Sequence, residues 1–129
     1  QEFFRQEGFK NLGLESHKEM GSVLAQFFVP QDPNDLLVRT RAWQNADISD
    51  NPKYNGNLEA ALAGITAKAI VMPSSTDQYF WSDDNKDEVA RMPNAEFKEI
   101  PSIWGHAAGL GISPADRKFI DDAIRELIG

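Results

Sequence analysis

With 129 residues, 41% of them apolar, the chain has the length of one domain or less and enough apolar content for a core. A formal net charge of -7 with the acids dispersed argues against nucleic acid as the main partner, because phosphate binding needs a basic face. The absence of cysteine excludes disulfides, thiolate zinc sites and a cysteine nucleophile, and no apolar run approaches the ~18 residues of a membrane span.

No signal-peptide pattern opens the chain. It starts at Gln1, with Phe3 and Phe4 soon after, and reads as a polypeptide whose beginning lies elsewhere; a cytoplasmic location is the expectation. Residues 1–14 scatter Phe3, Phe4, Phe9, Leu12 and Leu14 among charges, as a short helix ending in a loop at Gly13 would. Ser16 with Glu19 three residues on is a capping-box pattern. Behind it Met20, Val23, Leu24, Phe27 and Phe28 recur at helical spacing, which predicts an amphipathic helix over 16–28.

Pro30 stops that helix, and Asp32-Pro33 starts another, whose Leu36, Leu37, Thr40 and Trp43 share a face. Asn51-Pro52 and Asn55-Gly56 make 48–56 a loop. Asn57 then caps a third helix with Leu58, Ala61, Leu62 and Ile65 on one side. The first half is therefore helical, without a strand.

The second half changes character. Ala69 to Met72 is a continuous apolar run, as in a strand covered on both faces. Ser82 or Asp83 is expected to cap a helix running to about Met92, with Val89 and Met92 inward; Pro93-Asn94 turns the chain into an alternating strand over 95–100. Ser113-Pro114 opens a last helix with Phe119, Ile120, Ala123, Ile124 and Leu127 as its buried stripe. The order β-α-β-α implies a parallel sheet with helices on its faces. Two strands do not make a stable sheet alone, so either partner strands lie in another portion of the polypeptide or the strand reading is wrong.

The chemistry concentrates beyond the two strand ends. Asp77 closes Ser74-Ser75-Thr76-Asp77 after the first strand, and His106 follows Trp104-Gly105 after the second. Parallel strands joined by a crossover helix deliver both ends to one edge, where an acid and a histidine would form two thirds of a Ser-His-Asp triad. Each residue also has a plainer reading, Asp77 as turn material and His106 as an ordinary loop histidine. Tyr79, Phe80 and Trp81 are placed to wall the acid from water, and small neighbours Ala107, Ala108 and Gly109 suggest a close-packed, flexible loop that lets a substrate reach the imidazole. Tyr79, Phe80 and Trp104 are the candidates for substrate contact. His17, beside a helix cap, reads as surface. Two histidines among scattered acids give no metal-ligand spacing, the Gly-rich 105–111 stretch lacks phosphate-binding spacing, and no cofactor is expected.

The third triad member has no counterpart here. No G-x-S-x-G elbow occurs; Ser22 lies on a helix, and Ser74 and Ser75 stand too close to Asp77.

The words Asp35-Leu36-Leu37, Trp43-Gln44-Asn45-Ala46-Asp47-Ile48-Ser49, Ile65-Thr66-Ala67-Lys68-Ala69, Val71-Met72-Pro73, Thr76-Asp77-Gln78-Tyr79-Phe80, Pro93-Asn94-Ala95-Glu96 and Ile100-Pro101-Ser102-Ile103-Trp104-Gly105-His106 together resemble the C-terminal part of the α/β-hydrolase fold family, in its homoserine O-acetyltransferase-like branch. The similarity spans nearly the whole chain. It implies a helical cap over residues 1–65 and the C-terminal β-α-β-α portion of the core over 66–129. It also implies Asp77 and His106 as triad acid and base, with the nucleophile elbow and oxyanion hole in a preceding half of the fold. The implied reaction is acyl transfer or ester hydrolysis through an acyl-serine, on a small acyl ester or acyl-CoA, with a homodimer contact through the cap helices as a further expectation. One departure stands out. Homoserine acetyltransferases follow the catalytic histidine with an aspartate that holds the substrate's amino group; here that place is Ala107, which puts homoserine itself in doubt. The rival readings are a catalytically inactive binding module of the same fold and a fragment that associates with a separate chain.

Overall fold

The computed structural model of the chain describes residues 2–129. A short helix α1 (Glu2–Arg5) and a 3₁₀ turn (Gly8–Leu12) lead into α2 (His17–Phe28), α3 (Pro33–Gln44) and α4 (Leu58–Ala63). Then come β1 (Ala69–Val71), α5 (Ser82–Val89), β2 (Ala95–Phe97), a second 3₁₀ turn (Gly105–Leu110) and α6 (Pro114–Ile128).

The helix starts follow from their caps. Ser16 Oγ accepts from the Glu19 amide at 3.2 Å, Asp32 Oδ1 from Asn34 at 2.7 Å, Asn57 Oδ1 from Ala60 at 3.0 Å and Ser113 Oγ from Asp116 at 3.4 Å. Each satisfies an amide that the helix itself leaves without a partner. Glu19 reaches back as a capping box requires, but to the amide of Glu15 rather than Ser16. α5 departs from expectation at both ends. Trp81 is its capping residue, because the Ser82 hydroxyl is turned to the Glu99 carboxylate. The helix stops at Val89 rather than Met92, since Arg91 and Met92 donate to carbonyls only three residues back before Pro93 breaks the run.

β1 and β2 pair in parallel, Ala69 opposite Ala95, Ile70 opposite Glu96 and Val71 opposite Phe97. Both strands are shorter than the sequence predicts. Pro73 has no amide to give, so regular pairing lapses after Val71 and returns as a bridge between Ser74 and Ile100. α5 packs on β2 and α6 on β1. Lys68 secures the far end of α6 by donating to the carbonyl of Leu127 at 3.1 Å.

The buried apolar residues are Phe9, Ala61, Leu62, Val89, Ile100, Ala108 and Ala123. This core is small. The apolar stripes of α2 and α3 are not in it: Val23, Leu24, Phe27, Phe28, Leu37 and Trp43 are all exposed, and of the stripe on α6 only Ala123 is buried while Ile124 is exposed. The chain shows 9434 Å² of accessible surface, against ~6,800 Å² expected from the surface scaling of a folded monomer of its mass. Its helix faces thus stand open to solvent. Among the described residues no helix is long and apolar enough to cross a membrane.

Candidate active site

Two loops leave the same edge of the sheet, as parallel strands require. After β1 the chain turns tightly, with the Asp77 amide donating to the Ser74 carbonyl at 3.0 Å. Asp77 then folds its carboxylate back on its own backbone. Oδ1 accepts from the amides of Tyr79 at 2.8 Å and Phe80 at 3.3 Å, the local pattern that short acidic side chains favour in turns. That leaves Oδ2 pointing out of the turn, 3.2 Å from Nδ1 of His106.

His106 arrives from the second loop, in the first turn of the 3₁₀ helix that follows β2. The sequence predicts a flexible glycine-rich loop here; the structure instead winds Gly105–Leu110 into a 3₁₀ helix with Ala108 buried.

The two side chains differ in exposure. The Asp77 side chain is 7% exposed and that of His106 55%. Burial pushes the Asp77 carboxyl up, but the Tyr79 amide, the His106 ring and the Phe80 amide outweigh it and hold the carboxyl below its ordinary value. An ionised carboxylate has no proton to give, so Nδ1 of His106 is the donor, and in the neutral ring the lone pair is then on Nε2. Aromatic rings fix the imidazole from the side. Tyr79 lies 4.8 Å and Phe80 5.3 Å from it, centroid to centroid, and both rest on Trp43 of α3, at 6.2 Å and 5.5 Å.

Two hollows meet at His106. The smaller, about 220 Å³, is lined by Met72, Asp77, Phe80, Gly109 and His106 among others. The larger, about 400 Å³, is mostly apolar, with Phe3, Phe4, Met20, Leu24, Trp104 and Ala107 around the imidazole. Of the substrate-contact candidates, Tyr79 and Phe80 touch the ring, while Trp104 packs on Phe3 at 5.1 Å in the wall of the larger hollow.

The remaining sequence candidates lie elsewhere. His17 is exposed on α2, between the rings of Phe4 and Phe9 at 5.3 Å and 4.9 Å. Ser22 donates to the Lys18 carbonyl, Ser74 accepts from the Thr76 amide and Ser75 donates to the Ser102 carbonyl. The hydrogen bond made by the His106 ring is the one to Asp77, among the described residues. Among those residues, too, no three His, Asp or Glu side chains converge as metal ligands do.

Sequence reasoning missed a polar lattice behind the pair. The Thr76 hydroxyl donates to the Ser102 carbonyl at 2.7 Å and accepts from the Gly105 amide at 3.0 Å. Ser102 Oγ donates to buried Asp116 at 2.6 Å and accepts from the Trp104 amide at 3.1 Å. The signal available was weak: two hydroxyls inside loops that already carried charged candidates. The spacing of Trp43 marks a helical face and carries no sign of a support for the histidine.

No family model matches the sequence. The chain is 40% identical over 121 residues to the ethyl acetate hydrolase of Pseudomonas veronii, covering 93% of itself and 33% of that protein. It is 39% identical over 130 residues to a probable esterase of Corynebacterium glutamicum, covering 98% of itself and 36% of the relative. Among solved structures it superposes on the acetyl esterase MekB with a TM-score of 0.87 at 38% identity, over 98% of this chain and 36% of that one. The chain therefore spans about a third of the length of the curated relatives it matches. These relatives are esterases, and a small parallel sheet carrying helices agrees with the α/β-hydrolase-like family that the sequence resembles.

Proposed function

We propose that this chain is the acid- and histidine-bearing part of a serine ester hydrolase of the α/β-hydrolase fold. The observation that carries the reading is the pair itself: a shielded carboxylate 3.2 Å from Nδ1 of an imidazole that lines two hollows. On this reading residues 1–65, helical throughout their regular elements, form the cap, and residues 66–129 form the end of the core. The serine, its elbow and the oxyanion donors come from the two thirds of the fold that the matched relatives have beyond this region.

The chemistry follows from the tautomer. Nε2 of His106 takes the proton of the serine hydroxyl as its oxygen attacks the ester carbonyl, and the imidazolium that forms is stabilised by Asp77 through Nδ1. Collapse of the tetrahedral species expels the alcohol, which receives the proton from Nε2. Water, deprotonated by the same nitrogen, then attacks the acyl-serine; as the second tetrahedral species collapses, the serine oxygen takes the proton back from Nε2 and the acid leaves. Asp77 stays ionised throughout.

Two features favour simple neutral esters over the acyl-CoA and homoserine alternatives. The larger hollow offers no lysine or arginine among the described residues, so the phosphates of a coenzyme A ester meet no counter-charge there. Ala107 stands where the homoserine enzymes that this sequence resembles carry an aspartate, so nothing at that position would hold an amino group. Ester cleavage with water as acceptor is accordingly the preferred outcome.

The test is His106→Ala in the full-length protein with a chromogenic acetyl ester. Turnover is expected to fall by about 10⁴-fold or more. Retention of a tenth or more of the parent rate would sink the reading.

A further inference from the structure

Thr76 and Gly105 immediately precede Asp77 and His106, and they touch each other. The Thr76 hydroxyl uses both of its hydrogen-bonding roles on the histidine loop, donating to Ser102 O and accepting from the Gly105 amide. Backbone meets backbone at the same place. Gly105 has φ of +52°, and a Cβ there would lie 3.2 Å from the Thr76 carbonyl oxygen, so neither loop has slack at the join. Ser75 adds a second bond to the Ser102 carbonyl at 3.3 Å.

Ser102 is itself pinned from below. Its hydroxyl donates at 2.6 Å to Asp116 in the first turn of α6, and both residues are buried. Asp116 has no lysine or arginine partner among the described residues, and a buried polar side chain is costly unless it is hydrogen-bonded. The Ser102 hydroxyl supplies that bond. Through Ser102 Oγ, which also accepts from the Trp104 amide, this buried bond fixes where the histidine loop begins.

We propose that Thr76 is a positioning residue: its hydroxyl, anchored through Ser102 to Asp116, sets the spacing of the two loops and thereby holds Asp77 and His106 in hydrogen-bonding register. The inference rests on the reading of those two residues as acid and base. It differs from a packing role because it depends on the hydroxyl and not on the methyl of Thr76. Thr76→Val preserves the shape and removes both bonds; Thr76→Ser keeps them and removes the methyl.

In the full-length enzyme with a chromogenic acetyl ester, Thr76→Val is expected to lower kcat by about 10- to 100-fold with KM within about twofold, since a displacement near 1 Å at such a pair is felt in the chemical step. Thr76→Ser is expected to lie within about threefold of the parent. A Thr76→Val enzyme with unchanged kcat, or a Thr76→Ser enzyme as impaired as Thr76→Val, overturns the inference. Should the valine variant fail to fold, Ser102→Ala asks the same question from the other loop: a kcat lowered by about fivefold or more at constant KM supports it, and an unchanged kcat overturns it. His106→Ala run alongside separates the two levels. An active His106→Ala enzyme defeats the underlying catalytic reading, whereas an inactive one beside an unaffected Thr76→Val enzyme defeats the positioning role alone.

Discussion

At Asp77 one carboxylate serves two partners with different oxygens. Oδ1 is committed to the amides of Tyr79 and Phe80, so Oδ2 cannot rotate away from His106 without breaking the turn. Asp77→Asn keeps the shape but offers either an amide nitrogen or a neutral oxygen to Nδ1. On the proposed reading, the substitution in the full-length protein is expected to lower kcat by on the order of 10³- to 10⁴-fold, as in triads given the wrong tautomer. The same carboxyl carries a pH dependence of known sign. Its folded value lies below the unfolded one, near 3.9, so the unfolded state binds the extra proton in the interval between them. The stability it contributes is complete above about pH 4 to 5 and is lost as pH falls through the folded value. Thermal melts between about pH 3 and pH 7 should show a shallower acid-side fall for Asp77→Asn than for the parent; an identical fall in both would contradict the assignment.

At the scale of elements, the aromatic stack joins the helical layer to the site. Trp43 on α3 supports Tyr79 and Phe80, and those two rings flank His106. Aromatic pairs of this kind are worth about 0.5–1.5 kcal/mol beyond the area they bury. Trp43→Ala should therefore cost on the order of 1 kcal/mol in stability and raise KM more than it lowers kcat, because it loosens the wall and leaves the acid–base bond intact. Urea melts and steady-state kinetics check both; a kcat loss matching that of Asp77→Asn would contradict it. The helices were legible in the sequence because their starts are local events. Ser16, Asp32, Asn57 and Ser113 each cap within four residues of themselves. The meeting of Asp77 and His106 was legible for a different reason, since β-α-β order alone sends both strand ends to one edge. The Thr76–Ser102–Asp116 lattice was not. It joins residues 14 to 26 apart through hydroxyls that any loop might carry, and no periodicity marks them.

For the whole molecule, surface decides what helical periodicity does not. The stripes on α2 and α3 point to real apolar faces, yet those faces stay open because what covers a helix is not written within it. The excess of ~2,600 Å² over a compact monomer of this mass is the scale of a large, obligate interface. Expressed alone, the 129-residue chain is expected to bind a hydrophobic dye strongly and to melt without a sharp transition. The full-length protein should melt cooperatively with little dye binding; a sharp, dye-silent melt of the chain alone would contradict the surface argument.

The parallel register has a practical corollary for engineering. Asp77 and His106 leave one edge of the sheet, whereas the exposed turn of Ala90, Arg91 and Pro93 enters β2 from the other. Length added there is taken up at the rear of the crossover and leaves the strand alignment alone. A peptide tag or a fluorophore attachment sequence spliced between Arg91 and Met92 would thus report on the protein from behind while its working face stays untouched.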